Sequence, residues 1–326
     1  MGTFKLKKKT NLKDTKIGDE FSESDYAIAT TDDHFLQFEY LSEDKKELTP
    51  YDVEPGVWAI GKDISGLFLY KTSFVKDEVL DSLVKDNTLV EKVNLFFDRL
   101  HIYKKHGIEI PKRAALLYGP AGSGKSTTLN KVLEFYQNDH KTAVVVWHTD
   151  KYEAHTVKDF IKRFAYKGVE RLIMVLEDLG GVEVNDRRIP SESSLLSILD
   201  NNEKTFTIPV FLMATTNHPE SFLGNLTNRP GRFDDKIEVG FLSSENRSAL
   251  LTFFAKETIT REAAELIKTE KFKSFTPAHI REAVIRSDLY DQTLDETLKA
   301  MLRELEKYNK EFSSNGGSMG ILREDD

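Results

Sequence analysis

The sequence predicts an α/β chain: a parallel sheet flanked by helices, followed by a small helical domain and preceded by a small β-rich region. Three observations carry that reading. From Ala114 to about Phe241, short wholly apolar runs alternate with helical patterns. Apolar strands of that kind are buried on both faces, as in parallel sheets. One of these runs leads directly into a glycine-rich loop and then a helix. Beyond Ser244 the apolar residues recur at helical spacing almost to the end.

Taken in order, residues 1–24 form a Lys-rich polar tail (Lys5, Lys7, Lys8, Lys9, Lys13, Lys16). Its bland reading is a solvated tail; its sharper one is an arm for nucleic acid or an acidic partner. Residues 25–86 hold the β-rich region. Runs at Tyr26–Thr30, Phe35–Tyr40, Val57–Ile60 and Leu67–Lys71 are separated by turn signals such as Glu54-Pro55-Gly56 and Ser65-Gly66. Two helical stretches follow, Val75–Val84 and Leu89–Lys105, the second stopped by Gly107. The main unit spans 87–242, with strands expected at Ala114–Tyr118, Ala143–Trp147, Leu172–Leu176, Val210–Ala214 and Ile237–Val239. Residues 243–311 make the helical domain, with helices at Ser248–Lys256, Arg261–Lys268, Pro277–Ser287 and Leu294–Tyr308. Residues 312–326 read as a flexible acidic tail.

Composition narrows the function. The chain has 326 residues, too many for one ordinary core, and 39% hydrophobic with 31% charged residues suits a globular protein. The formal net charge of −8 gives the whole molecule no nucleic-acid-like positive field, although a local basic groove stays open. The absence of cysteine excludes disulfides, zinc knuckles and thiol catalysis. No apolar run approaches the ~20 residues of a spanning helix, and the basic first residues lack the apolar stretch of a signal peptide. The expected setting is the cytoplasm, or the inside of a host cell for a viral protein, without membrane insertion.

Gly119-Pro120-Ala121-Gly122-Ser123-Gly124-Lys125-Ser126 matches G-x-x-x-x-G-K-[ST] in full, between an apolar strand and a helix that begins at Thr127. Glycines let the backbone curl so that several N–H groups converge on phosphate oxygens, and the helix start adds partial positive charge. Lys125 is expected at the β- and γ-phosphates and Ser126 on Mg2+. The fold is therefore expected to be that of a P-loop NTPase, with ATP and Mg2+ as its ligands.

Two further strand ends carry polar groups. Leu172–Leu176 runs into Glu177-Asp178, and ligands of parallel sheets sit at the carboxyl ends of the strands. One carboxylate would orient Mg2+ through water and the other deprotonate the attacking water. By position Glu177 takes the metal side and Asp178 the water; Asp is one methylene shorter, so exchanged roles stay open. Val210–Ala214 continues into Thr215-Thr216-Asn217, with Asn217 placed for the γ-phosphate or the lytic water. Asn228-Arg229-Pro230-Gly231-Arg232-Phe233-Asp234 then sets two arginines in a Pro-Gly turn, read either as solvated surface or as charge-neutralising groups for phosphoryl transfer.

These blocks, with Lys112-Arg113 and Leu116-Leu117-Tyr118-Gly119-Pro120, resemble the AAA ATPases over roughly residues 90–290. Within that family the resemblance is nearest to the mitochondrial ATPases that translocate the folded Rieske iron–sulfur protein. It rests on Leu176-Glu177-Asp178, Thr215-Thr216-Asn217-His218-Pro219 and Thr276-Pro277-Ala278. Those proteins also carry a membrane helix, which this sequence lacks. The resemblance implies that Asn217 is a first sensor and that Arg229 and Arg232 are arginine fingers reaching a neighbouring subunit's ATP, hence a homo-oligomeric ring, usually of six. It implies that Gly107 and Ile108 contact adenine, that Pro120, Ala121, Gly122, Ser123, Gly124, Lys125, Ser126 and Thr127 hold the phosphates, and that His279 or Arg281 touches nucleotide. Tyr152, within Thr149–His155, is a candidate pore residue, and Val184–Arg188 a candidate second pore loop.

The function expected from all this is ATP-driven remodelling, unfolding or translocation of a protein. A nucleic-acid-linked motor or loader is the alternative, on the strength of the Lys-rich start and Arg187-Arg188.

Overall fold

The computed structural model describes residues 26–28, 40–41, 47–48, 52–63, 66–72, 88–148, 154–179, 198–199, 205–217 and 232–314. The tails, Val75–Val84, Tyr152, Val184–Arg188 and Arg229 lie outside the described residues. In chain order the strands are β1 (Tyr26–Ile28), β2 (Tyr40–Leu41), β3 (Glu47–Leu48), β4 (Asp52–Val53), β5 (Gly56–Asp63), β6 (Gly66–Lys71), β7 (Lys112–Tyr118), β8 (Thr142–His148), β9 (Ala165–Tyr166), β10 (Arg171–Glu177), β11 (Val210–Thr216) and β12 (Asp235–Glu238). The helices are α1 (Thr88–Asp98), α2 (Leu100–Lys105), α3 (Lys125–Tyr136), α4 (Ala154–Ile161), α5 (Ser244–Ala255), α6 (Arg261–Leu266), α7 (Pro277–Leu289) and α8 (Leu294–Ser314).

Eight strands form one sheet in the order β1-β6-β5-β8-β10-β11-β7-β12. From β5 to β12 every neighbouring pair is parallel. Alternate residues of the apolar strands feed two separate cores. Leu172, Met174 and Leu176 join Leu116, Trp147 and Leu212 on one face. Ile173 and Val175 join Leu117, Val144 and Phe211 on the other. Burial on both faces explains why these strands read as unbroken apolar runs.

Residues 56–71 depart from the expected separate N-terminal region. β5 pairs in parallel with β8, Val57 opposite Val144, and β6 folds back antiparallel on β5. They extend the central sheet past β8. The reason is chemical: Trp58 and Ile60 pack into one core, Val57 and Ala59 into the other, so this hairpin is apolar on both faces. A short parallel pair, β4 with β9, also escaped the sequence reading. The stretch Leu89–Lys105 is two helices rather than one, parted at Arg99. Phe96 packs edge-on against Tyr103 and Phe211, with centroids 5.5 and 5.6 Å away.

The C-terminal helices close around a third core of their own, including Leu251, Phe272, Phe275, Ile280 and Leu298. Phe272 and Phe275 meet edge-to-face at 4.9 Å. Local signals start these helices: Ser243 and Thr260 accept N-terminal amides of α5 and α6. Among the described residues no helix is long and apolar enough to cross a membrane.

Candidate functional site

The strand order brings the polar strand ends together. β11 lies between β7 and β10, so the loop after β7, Asp178 after β10 and Asn217 after β11 meet at the carboxyl edge of the sheet. They line a cavity of about 700 Å³ whose opposite wall is helical, with Leu242, Leu250, Phe253, Phe254, Pro277 and Arg281.

The loop Gly119–Gly124 is held open by its glycines. A Cβ on Gly119, at φ +149°, would lie 2.2 Å from the carbonyl oxygen of Val239. Gly124, at φ +103°, precedes the first residue of α3 in a left-handed conformation that disfavours a side chain. Lys125, in the first turn of α3, is buried. Its Nζ donates to the carbonyls of Gly119 and Pro120, at 2.8 Å each, so it lies folded across its own loop. Burial lowers its pKa to about 8, against the opposing pull of the Asp178 carboxylate. The Ser123 hydroxyl is buried there with no partner among the described residues. An unpaired buried hydroxyl, a cation and a helix start facing one cavity suit a phosphate chain.

The two carboxylates diverge. Glu177 ends β10, and its Oε2 lies 2.9 Å from His148 Nδ1 on the neighbouring strand β8. It does not line the cavity. Asp178 sits at φ +55°, an uncommon conformation that Asp tolerates better than most residues. β11 holds it there. The Thr215 hydroxyl accepts from the Asp178 amide at 3.1 Å, and the Thr215 carbonyl accepts from the Leu179 amide at 2.8 Å. The Thr216 hydroxyl donates to the Leu179 carbonyl at 2.7 Å. This bend leaves Asp178 exposed in the cavity beside the loop.

Of the residues expected at the site, Ala121, Gly122, Ser123, Gly124, Lys125, Ser126, Thr127, Asp178 and Asn217 line the cavity. Pro120 contributes a carbonyl to Lys125. Besides Glu177, four others lie elsewhere. Gly107 and Ile108 follow α2 outside the lining, with Ile108 45% exposed and its amide on the Tyr103 carbonyl. His279 is occupied in capping α7. Its Nδ1 accepts from the Thr276 amide at 3.2 Å and lies 2.7 Å from the Thr276 hydroxyl, and its ring leans on Phe275. Burial lowers the His279 pKa. Arg281, two residues on, lines the cavity instead. Arg232 is 4% exposed within its own chain, not presented outward.

The sequence reading missed the helical wall. Phe253 and Phe254 looked like core of a helical stretch, and nothing distinguished them from Leu251. It also missed the direct seam between the helical domain and the loop: the Ala278 amide donates to the Gly122 carbonyl at 3.3 Å.

Comparison with known proteins agrees with this geometry. Residues 115–241 match the family described as "ATPase family associated with various cellular activities (AAA)". Over those residues the chain is similar to the AAA ATPases. The chain is 28% identical over 242 residues to AAA-ATPase At3g50940 of Arabidopsis thaliana, covering 68% of this chain and 50% of that protein. It is 24% identical over 319 residues to the Arabidopsis protein HYPER-SENSITIVITY-RELATED 4, covering 88% and 54%. A probable 26S proteasome regulatory subunit 10B of Caenorhabditis elegans is 24% identical over 252 residues, covering 74% and 60%. The chain spans about half the length of the first two of these relatives. The AAA match begins inside β7 and ends before α5, so it takes in the loop, both carboxylates and Asn217 but none of the helical wall.

Proposed function

We propose that this AAA protein binds Mg-ATP in the cavity between the sheet edge and the helical domain and hydrolyses it, working as a ring of identical subunits on a protein substrate. The observation that carries the hydrolysis is the meeting of Lys125, Asp178 and Asn217 in one cavity. The loop amides and Lys125 take the phosphates, Lys125 leaving the carbonyls of Gly119 and Pro120 as anionic oxygens replace them. Asp178 holds the attacking water and accepts its proton. Asn217 orients the γ-phosphate or that water.

The residues present fit Mg2+. Ser126, exposed at the start of α3, lines the same cavity, and one hydroxyl with phosphate oxygens and waters suits this ion. Among the described residues there is no group of three or more His, Asp or Glu that could hold a metal ion without the nucleotide. When bound, Mg2+ neutralises charge on the phosphate oxygens. Glu177, lying on His148 rather than in the cavity, takes a supporting place behind Asp178, not the metal-side place expected from its position.

The ring rests on the arginines. Phosphoryl transfer gains from an arginine supplied in trans, and the burial of Arg232 leaves Arg229 as our choice for it. Similarity to a proteasome regulatory subunit and to a cell division cycle protein 48 homolog of Archaeoglobus fulgidus, 23% identical over 213 residues, supports a protein rather than a nucleic-acid substrate. The test is ATPase rate against protein concentration, with light scattering in the same samples. A specific rate that climbs as the particle grows is expected. A constant rate from a persistent monomer refutes the ring. Lys125→Ala is expected to abolish turnover, and mixing it with Arg229→Ala should restore part of it through hybrid interfaces.

A further inference from the structure

Arg247, in the first turn of α5, is 3% exposed. Its guanidinium donates to backbone carbonyls alone among the hydrogen bonds described. Nε reaches Ile267 O at 2.8 Å, Nη1 reaches Leu242 O at 2.9 Å, and Nη2 reaches Lys268 O at 2.9 Å and Thr269 O at 3.2 Å. Four of its five N–H groups are thus spent on the main chain. Three of those carbonyls belong to the turn that closes α6, where exposed carbonyls carry partial negative charge. The fourth belongs to Leu242, which packs against the helical core from the segment that leads from β12 to α5.

That fourth bond matters because Leu242 lines the cavity, as do Leu250, Phe253 and Phe254 further along α5. One buried cation therefore fixes the start of α5, the connecting segment and the end of α6 relative to one another. Together they set where the apolar wall stands over the phosphate loop. The wall offers flat and aliphatic carbon surface, suited to an aromatic base and not to phosphate.

We infer that Arg247 is a positioning residue: it sets the lid-side wall of the cavity, and through that wall the affinity for the base half of a nucleotide, without touching the ligand. The inference rests on the nucleotide reading above. Lys cannot replace Arg here, since an ammonium lacks the planar fork that spans carbonyls on two separate segments.

The experiment compares two ligands on the full chain by titration calorimetry: ADP, which needs loop and wall, and inorganic tripolyphosphate, which needs the loop alone. Arg247→Met is expected to weaken ADP binding about tenfold and to leave tripolyphosphate within about twofold. In turnover it should raise KM for ATP with kcat nearly unchanged. Arg247→Lys should behave like Arg247→Met, and serves in its place if the latter does not fold. Thr260→Ala strips the cap from the other end of α6 and serves as a stability control; it should leave both affinities as they were. Equal losses for both ligands, or an unchanged ADP affinity in either Arg247 variant, would overturn the inference. Wild-type protein that binds tripolyphosphate but no nucleotide would overturn the nucleotide reading itself.

Discussion

The sheet unit and the helical domain divide the site between them in different ways. The sheet side supplies charge and strain: Lys125 across its loop, Asp178 bent to φ +55°, and loop glycines held at positive φ. It is anchored by two cores, one on each face of the central strands. The helical side supplies shape. Its wall is mostly carbon, its core is small and separate, and it meets the loop at Gly122 through one amide of Ala278. Chemistry that tolerates little displacement sits on the part with the two larger cores.

The largest test of that contrast is on stability. Phe211 and Phe272 are both fully buried, one under the sheet and one in the helical core. Each Phe→Ala change should cost about 3–5 kcal/mol. In thermal scans Phe211→Ala should lower the main transition. Phe272→Ala should instead separate an early transition of the helical domain from a nearly unshifted one. A single transition lowered equally by both would mean that the two parts fold as one.

The carboxylates test the sheet side alone. Asp178→Asn is expected to cut turnover at least about a hundredfold while ATP still binds. Glu177→Gln should cost about tenfold or less, since Glu177 acts from behind. Single-turnover rates decide it, and the reverse order would return Glu177 to the cavity.

The seam itself is probed by Gly122→Ala. At φ +74° the new Cβ would stand 2.8 Å from the Ala278 Cβ and 2.9 Å from the Thr276 hydroxyl. Left-handed backbone alone costs about 1–2 kcal/mol for a residue with a Cβ. The contact should also push the helical wall away, raising KM for ATP about tenfold with little change in kcat. An unchanged KM would show that the wall does not depend on this seam.

The smallest effect is one of pH. Lys125 titrates near 8 in the folded chain, below its ordinary 10.5. The unfolded chain therefore holds more protons between those values, and stability rises as pH climbs through them. The burial penalty is fully present below 8. Phosphate binding needs the charged form, so nucleotide affinity should fall about tenfold from pH 7 to pH 9 while the protein grows more stable. Affinity and melting temperature moving in the same direction would show that another group controls binding.

Much of the sheet side was legible because its signals are local. Gly119–Ser126 spells its own backbone geometry, and wholly apolar runs announce strands buried on both faces. The hairpin 56–71 was harder, since alternation and turns mark strands without saying which sheet they join. The β5–β8 pairing was settled by the apolar residues that Val57 and Trp58 offer to opposite faces. His279 shows a local signal misread. Thr276-Pro277-Ala278-His279 is a helix start, and its His serves the cap.

By itself the sequence determined the phosphate loop, the strand ends that carry Glu177, Asp178 and Asn217, and the division into a parallel sheet and a helical domain. These follow from spacing along the chain. Only the tertiary structure decided that Asp178 faces the cavity while Glu177 turns to His148, that Arg281 rather than His279 lines it, and that Leu242, Phe253 and Phe254 form its far wall. Those choices depend on hydrogen bonds and packing between segments distant in sequence, as when Thr215 of one strand holds the backbone of Asp178 on another. No local pattern encodes which partner a side chain will find there.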